Sequence, residues 1–221
     1  MASFIITEMG SDMAIRIVSS LITGYLLGSV VVAILISRFI FKEDVRTKGS
    51  GNSGATNAAR VYGLPFGLLT FAGDVIKAIL ACRAGWFIGG ANTLAGSPLG
   101  GCWCMAAAGV ACMVGHCFPV FFRFKGGKGV SVGAALALMI DWRLFVIGIG
   151  VFLLMAIITK RVSIGSILGA IALGISAYFL KDELPLKLMG IFAAVMVVVM
   201  HYSNISRIIN GTEKPFTLGK H

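Results

Sequence analysis

Apolar residues come in long runs along this chain, separated by short polar and glycine-rich stretches. A helix needs roughly 20 apolar residues to cross the hydrocarbon core of a bilayer. The run from Ile17 to Ser37 meets that requirement without one charged side chain. Read the same way, the remaining runs predict seven spans in all, near residues 17–40, 64–90, 101–122, 129–141, 144–159, 163–180 and 185–203. The fourth is short enough to cross only in part. Glycines scattered through the runs (Gly24, Gly28, Gly109, Gly148, Gly165, Gly169) let helix backbones approach closely in lipid. The expected fold is therefore all-α and integral to the membrane: a compact bundle of about seven transmembrane helices with polar loops on its cytoplasmic side. One domain, residues 1–221, is expected, with 1–16 as an N-terminal extension and 204–221 as a cytoplasmic tail. The first apolar run is longer than a signal-peptide core and no small-residue cleavage site follows it, so it reads as a retained span.

Composition agrees. Hydrophobic residues make up 57% of the chain and charged residues 13%, at a mean hydropathy of +0.93. A soluble domain carries about a quarter charged residues. A net charge of +10 would suggest nucleic acid in a soluble protein. In a chain this apolar it points to the positive-inside rule and to an anionic ligand, and no nucleic-acid partner is expected. Thirteen of the nineteen Lys and Arg fall on one side of the seven spans: Arg38, Lys42, Arg46, Lys48, Arg60, Arg123, Lys125, Lys128, Lys160, Arg161, Arg207, Lys214 and Lys220. That side is expected to be cytoplasmic, with the C-terminus inside and the N-terminus outside, in a bacterial inner membrane. The five cysteines form no CxxC pair and read as small packing residues.

Four polar segments share the basic side: KGSGNSGATNAAR (Lys48 to Arg60), GHCFPVFFRFKGGKGVS (Gly115 to Ser131), RVSIGS (Arg161 to Ser166) and HYSNISRIINGTE (His201 to Glu213). Each combines glycine, hydroxyl or amide donors and a basic residue. Glycines let backbone N–H groups converge on an anion, neutral side chains such as Ser50, Asn52, Asn57 and Ser166 add donors, and Lys or Arg supplies the opposing charge. FKGGKG, with Lys125, Gly126, Gly127 and Lys128, leads into a span and would set a helix N-terminus beside two lysines. An anion site results, most simply one for phosphate. Gly49 to Gly54 matches GxGxxG but has no preceding strand, and GGKGVS lacks the spacing of a Walker loop. The nine acidic residues form no cluster on the basic side, so no metal site and no cofactor are expected; Glu43 and Asp44 read as loop solvation. Asp74 and Lys77, three residues apart inside the second span, read as a structural ion pair. His116 and His201 border two of the polar segments where a span meets the surface.

Two functions fit these features. A transporter for a phosphorylated or other organic anion would hold its ligand near the bilayer midplane, in broken helices. A membrane enzyme acting on a soluble phosphate and a lipid-dissolved partner would place its donors at the cytoplasmic helix ends, where nearly all of them lie here.

The GSGNSGATN, GHCFPVFFRFKGGKGV and HYSNISRIINGTE segments resemble, in order and spacing, the three motifs of the bacterial acyl-phosphate:glycerol-3-phosphate acyltransferases, and RVSIGS resembles that family's fourth polar element. The resemblance runs from about Tyr25 to Glu213. It departs in the N-terminal extension, in the stretch from Gly89 to Cys104, and at Ser131, where the family often has Ala or Thr. It implies a seven-helix enzyme that moves a fatty acyl group from acyl-phosphate to the 1-hydroxyl of glycerol 3-phosphate, giving lysophosphatidate and inorganic phosphate. Membrane lipid and the enzyme that makes acyl-phosphate would be its functional partners. It further implies that Ser50, Arg60, Lys128, Ser166 and Asn204 contact substrate phosphate, that His201 lines the same site with Asn204 in catalysis, and that the glycine turn with Lys125 and Lys128 helps hold a second phosphate. The HxxxxD signature of thioester-using acyltransferases is missing: Phe121 stands five positions after His116 and Ser206 five after His201. Its absence fits a donor other than acyl-CoA.

Overall fold

A computed structural model describes residues 2–90 and 98–216. Within the stretch from Gly89 to Cys104 that departs from the family pattern, residues 91–97 lie outside the described residues, as does the end of the tail, including Lys220. Ten α-helices follow one another: α1 Ala2–Gly28, α2 Val32–Phe39, α3 Ala55–Tyr62, α4 Leu64–Ile88, α5 Pro98–Cys117, α6 Val130–Ile140, α7 Trp142–Thr159, α8 Val162–Leu180, α9 Leu184–Met200 and α10 Tyr202–Ile209. Two 3₁₀ turns, Val45–Thr47 and Val120–Phe122, punctuate the loops, and no strand occurs among the described residues. All seven expected spans are helical. Five segments are long and apolar enough to cross a bilayer, and α9 with α10 makes a sixth, bent by 56° at His201. The seventh, α6, has 11 residues and at 1.5 Å per residue extends only about 16 Å, as its short apolar run foretold.

The first span is broken. Ile34 and Leu35 both donate to the Val31 carbonyl, so the Val30 carbonyl has no helical partner. Lys77 Nζ donates to it instead, at 2.8 Å. Elsewhere the bundle closes on small residues. Gly24 and Gly28 of α1 lie directly against the backbone of Ala108 and Cys112 on α5, so a side chain at either glycine would run into the α5 main chain. Gly169 of α8 meets Gly148 of α7 in the same way. The main core includes Cys82, Cys112, Met113, Leu136, Leu144 and Met189. The cysteines are free thiols, buried except for the half-buried Cys102. Large apolar side chains such as Ile157 (74% exposed) and Phe179 (76%) face outward, as helices solvated by lipid require.

The loops of the basic segments gather at one end of the bundle. At the opposite end Arg16 Nη1 donates to the Ile88 carbonyl (3.0 Å), tying the first helix to the far end of α4. Beneath the loops a second apolar cluster (Val31, Ile34, Val45, Ala58, Tyr62, Phe122) holds α2 and α3 together, with Phe41 stacked on Tyr62 at 4.0 Å between ring centres. This small core gives the polar loops a rigid floor.

Candidate active site

The first polar loop is fastened to the second by one arginine. Arg46 clamps Asp44 through two bonds, Nε to Oδ1 at 2.9 Å and Nη2 to Oδ2 at 2.7 Å, while its Nη1 donates to the carbonyls of Phe122 and Lys125, both at 3.0 Å. The Arg46 guanidinium holds the Asp44 carboxyl well below the usual carboxylate range, helped by Arg38. Glu43 pairs with Lys48 at 2.5 Å. These acids are therefore cross-links between loop segments and not solvating groups.

Asn57, read from sequence as a substrate ligand, has its amide in use. Its Nδ2 donates to the carbonyls of Val45 and Lys48, both at 3.1 Å, and its Oδ1 accepts from Ser50 N at 2.8 Å. It fixes the shape of the loop that presents Ser50 and Asn52. The glycine turn also differs from its expected role. Gly126 N donates to Cys117 O (3.1 Å) and Gly127 N to His116 O (3.0 Å), so these amides satisfy the last carbonyls of α5 and do not point at an anion. A Cβ on Gly126 would strike the His116 carbonyl, and one on Gly127 would strike the His116 ring. The glycines are required for close packing. Gly129, at φ 81°, then turns the chain into α6.

A cavity of about 640 Å³ opens between these loops and α6 to α10. Its wall includes Ser50, Asn52, Asn57, Arg60, His116, Lys128, Ser166, His201 and Asn204, nine of the twelve residues singled out from the sequence. Gly127 lies just behind, against His116. Lys125 and Gly126 face a separate shallow hollow with Asp44, Arg46 and Thr47. Deeper in, the wall turns apolar, with Ala137, Phe145, Ile149, Phe152, Leu173 and Val197. The cavity thus runs from a cationic mouth to a greasy interior.

At the mouth, Lys128 Nζ donates to Asn204 Oδ1 in a short contact. Burial, with the nearby Arg207 charge, lowers the Lys128 ammonium to about 8 from its usual range, an effect partly opposed by Glu213. Asn204 Nδ2 donates in turn to Glu213 Oε1 at 2.7 Å, so the amide bridges a cation and an anion with its orientation fixed. Glu213 also accepts from Ser163 Oγ (2.6 Å, Oε1) and Arg207 Nε (2.6 Å, Oε2). Burial acts to raise its carboxyl, but the bonds from Ser163, Asn204 and Arg207 outweigh that and lower it. The sequence reading missed Glu213, Ser163 and Arg207 as site residues. The one signal available was an acid ending a basic, hydroxyl-rich motif.

The segment after Gly211 closes over this mouth. Phe216 N donates to Lys160 O (2.9 Å), Arg161 Nε donates to Glu213 O (2.8 Å), and the Phe216 ring lies 5.6 Å from the Arg60 guanidinium. Ser166 Oγ donates back to the Val162 carbonyl (2.9 Å) at the cavity wall. His201 caps α9, and its Nδ1–H donates to the Val197 carbonyl at 2.7 Å, which leaves Nε2 as an acceptor. Among the described residues no group of three or more His, Cys, Asp or Glu is arranged to hold a metal ion. The arrangement can gather anions at its mouth, hold an alkyl chain behind them, and offer one neutral imidazole acceptor between the two.

Comparison with known proteins meets this geometry. A family sequence model described as glycerol-3-phosphate acyltransferase matches residues 18–211. The chain is 36% identical over 201 residues to a glycerol-3-phosphate acyltransferase of Synechococcus elongatus, covering 91% of this chain and 95% of that one. It is 35% identical over 194 residues to glycerol-3-phosphate acyltransferase 2 of Bacillus anthracis, covering 88% and 96%. Among solved structures it is similar to PlsY, an integral membrane glycerol 3-phosphate acyltransferase. The glycerol 3-phosphate form gives a TM-score of 0.80 and the lysophosphatidic acid form 0.78, each at 28% identity over 91% of this chain and 96% or 95% of that one. With the match spanning every helix that lines the cavity, the chain belongs to the glycerol-3-phosphate acyltransferase family.

Proposed function

We propose that the cavity brings glycerol 3-phosphate and a fatty acyl-phosphate together and transfers the acyl group to the glycerol 1-hydroxyl, giving lysophosphatidate and inorganic phosphate. The observation that carries this reading is the continuity of a cationic mouth (Arg60, Lys128, Arg207) with an apolar interior (Phe145, Phe152, Leu173) in one cavity. A soluble phosphate and a lipid-borne chain have few other reasons to share a space.

The chemistry needs little more than this. An acyl-phosphate is a mixed anhydride with a good leaving group. Two phosphates near −2, about 6 Å apart at an effective dielectric of ~20, repel by roughly 11 kcal/mol. Arg60, Lys128 and Arg207 oppose that repulsion directly, and positioning supplies much of the remaining rate. The hydroxyl oxygen bonds to the carbonyl carbon, the bond from that carbon to the phosphate oxygen breaks, and the electron pair leaves with phosphate. The hydroxyl proton passes to a substrate phosphate oxygen. Before attack the hydroxyl hydrogen rests on His201 Nε2, which aims the oxygen at the carbonyl carbon; as the new bond forms, that proton turns to the phosphate oxygen. The ring is backed at Nδ1 by a neutral carbonyl and not by a carboxylate, which supports a positioning role for His201 over that of a base. Asn204 holds Lys128 in register. The basic end faces the cytoplasm, with the N-terminus outside and the C-terminus inside, and the enzyme that makes acyl-phosphate supplies the donor.

Lysophosphatidate formation by the purified protein tests this, with glycerol 3-phosphate and either palmitoyl-phosphate or palmitoyl-CoA. Formation with palmitoyl-phosphate alone is expected, with one inorganic phosphate released per turnover. Turnover with palmitoyl-CoA alone would overturn the donor, and no turnover by folded protein would favour an anion transporter. A His201→Gln protein that binds glycerol 3-phosphate but has no turnover at any pH would replace the substrate-assisted step with a histidine base.

A further inference from the structure

Lys77 looked, from the sequence, like half of a structural ion pair inside the second span. The pair exists: Lys77 Nζ lies 2.8 Å from Asp74 Oδ1, with both side chains buried. It has a third member on a different helix. Lys77 Nζ also lies 3.0 Å from Nδ1 of His116, near the end of α5. Its two hydrogen-bond partners are thus the Val30 carbonyl, at 2.8 Å, and His116 Nδ1, with the Asp74 carboxylate beside it as an ion-pair partner.

This arrangement decides which nitrogen of His116 carries the proton. Opposed by the Asp74 carboxylate, the Lys77 head group is an ammonium, which donates and never accepts. His116 Nδ1 must then present its lone pair. Asp74 Oδ1 is 3.5 Å from Nδ1, too far to claim a proton there. The hydrogen of the neutral ring accordingly sits on Nε2. That nitrogen is the atom closest to where a Gly127 side chain would begin, and His116 lines the cavity beside Lys128.

We infer that Lys77 is a positioning residue for the reaction: it fixes His116 in the Nε2–H tautomer, so that the ring offers a neutral N–H donor to a substrate phosphate oxygen. The two cavity histidines then have opposite polarity. His201 turns its Nδ1–H to the Val197 carbonyl and offers an acceptor to the cavity; His116 turns its Nδ1 lone pair to Lys77 and offers a donor. An acceptor suits a hydroxyl and a donor suits a phosphate. The same lysine ties the broken first span to the site, since its other bond holds the Val30 carbonyl. This inference rests on the cavity being a phosphate site.

Nitrogen-15 NMR of histidine-labelled protein in detergent micelles tests it. The chain has three histidines, and a His116→Gln protein identifies the His116 signals by their loss. Wild type at neutral pH should show His116 with a bare Nδ1 and a protonated Nε2, and adding inorganic phosphate or glycerol 3-phosphate should move the Nε2–H resonance. In Lys77→Met, which keeps the alkyl length, the ring should become a mixture of tautomers and KM for glycerol 3-phosphate should rise about tenfold or more. A protonated Nδ1 in wild type, an Nε2–H signal indifferent to both ligands, or an unchanged tautomer in folded Lys77→Met would each overturn it. The wild-type spectrum alone settles which nitrogen is protonated, even if Lys77→Met does not fold. Failure of the acyl-transfer reading would appear separately, as absence of turnover in wild type with the tautomer as stated.

Discussion

The sharpest consequence of the site concerns Lys128. Its ammonium is partly buried, is lowered to about 8, and reaches Asn204 at the mouth of the cavity. A phosphate of charge −2 about 4 Å from this group, at an effective dielectric of ~20, gains roughly 8 kcal/mol of gross attraction. Desolvation of both partners cancels most of that, and a hydrogen bond between charged groups is worth about 1.5–3 kcal/mol net. Lys128→Ala should therefore weaken glycerol 3-phosphate binding by about 10- to 150-fold. The pH dependence follows from the same group. Anion binding favours the protonated lysine, so binding is undiminished below about 8, where the empty site already carries the charge. Above that, each binding event must first take up a proton, and affinity should fall by up to about tenfold per pH unit. The second ionisation of phosphate, near pH ~6, is complete before this window opens. Titration calorimetry at pH 7, 8 and 9 on wild type, Lys128→Ala and Lys128→Arg would measure both effects. Arginine keeps its charge throughout, so its curve should stay flat. A wild-type affinity that does not change from pH 7 to 9, or an alanine variant within twofold of wild type, would refute the reasoning.

Other perturbations follow from particular contacts. Gly127→Ala places a methyl group on the His116 ring; overpacking costs about 1–3 kcal/mol, so kcat/KM should fall by about fivefold or more with a lower Tm, and an activity equal to wild type would contradict the packing. Arg46→Ala removes the bonds to Asp44, Phe122 and Lys125, and the melting temperature in detergent should drop by several degrees, in keeping with about 1–3 kcal/mol for unsatisfied partners. Phe216→Ala takes the ring away from Arg60. At about 0.5–1 kcal/mol for a partly exposed cation–π pair, KM for glycerol 3-phosphate should rise two- to fivefold, and Phe216→Tyr should restore it.

The spans were legible because a long apolar run is a local, one-dimensional signal, and lipid leaves the backbone little choice but helix. The break in the first span was not. It depends on Lys77, from a helix 47 residues away, taking the Val30 carbonyl, and nothing in the run itself marks that position. The same distinction divides the site. Residues sharing a motif with glycine and charge, such as Ser50, Arg60, Lys128 and Asn204, could be picked out by type and spacing. Which of the candidates are tied up in holding the loops together could not. Asn57 bonds the carbonyls of its own loop and the glycine amides bond the last carbonyls of α5, because a loop packed against buried helices must satisfy backbone groups first. Glu213 escaped notice because a lone acid acquires meaning only when Ser163, Asn204 and Arg207 converge on it from two helices.

One sequence feature explains why this cavity has two characters at all. Helix α6 has 11 residues where α8 has 19, a difference of about 12 Å in length. Asp141, at the junction of α6 and α7, lies 3.7 Å from Lys181, just past the end of α8, so the two helices are level at the end away from the loops. The missing turns of α6 therefore fall at the loop end. There the FKGGKG turn drops between its longer neighbours, and Lys128 arrives beside residues that would otherwise meet only lipid or helix. The bend at His201 then folds α10 over the gap and brings Asn204 onto Lys128. Added turns of α6 at the loop end would displace the FKGGKG turn and carry Lys128 away from Asn204. The shortness of the fourth span, visible in the sequence as a run too brief to cross, is thus the structural condition for a charged group and an alkyl chain to share one cavity.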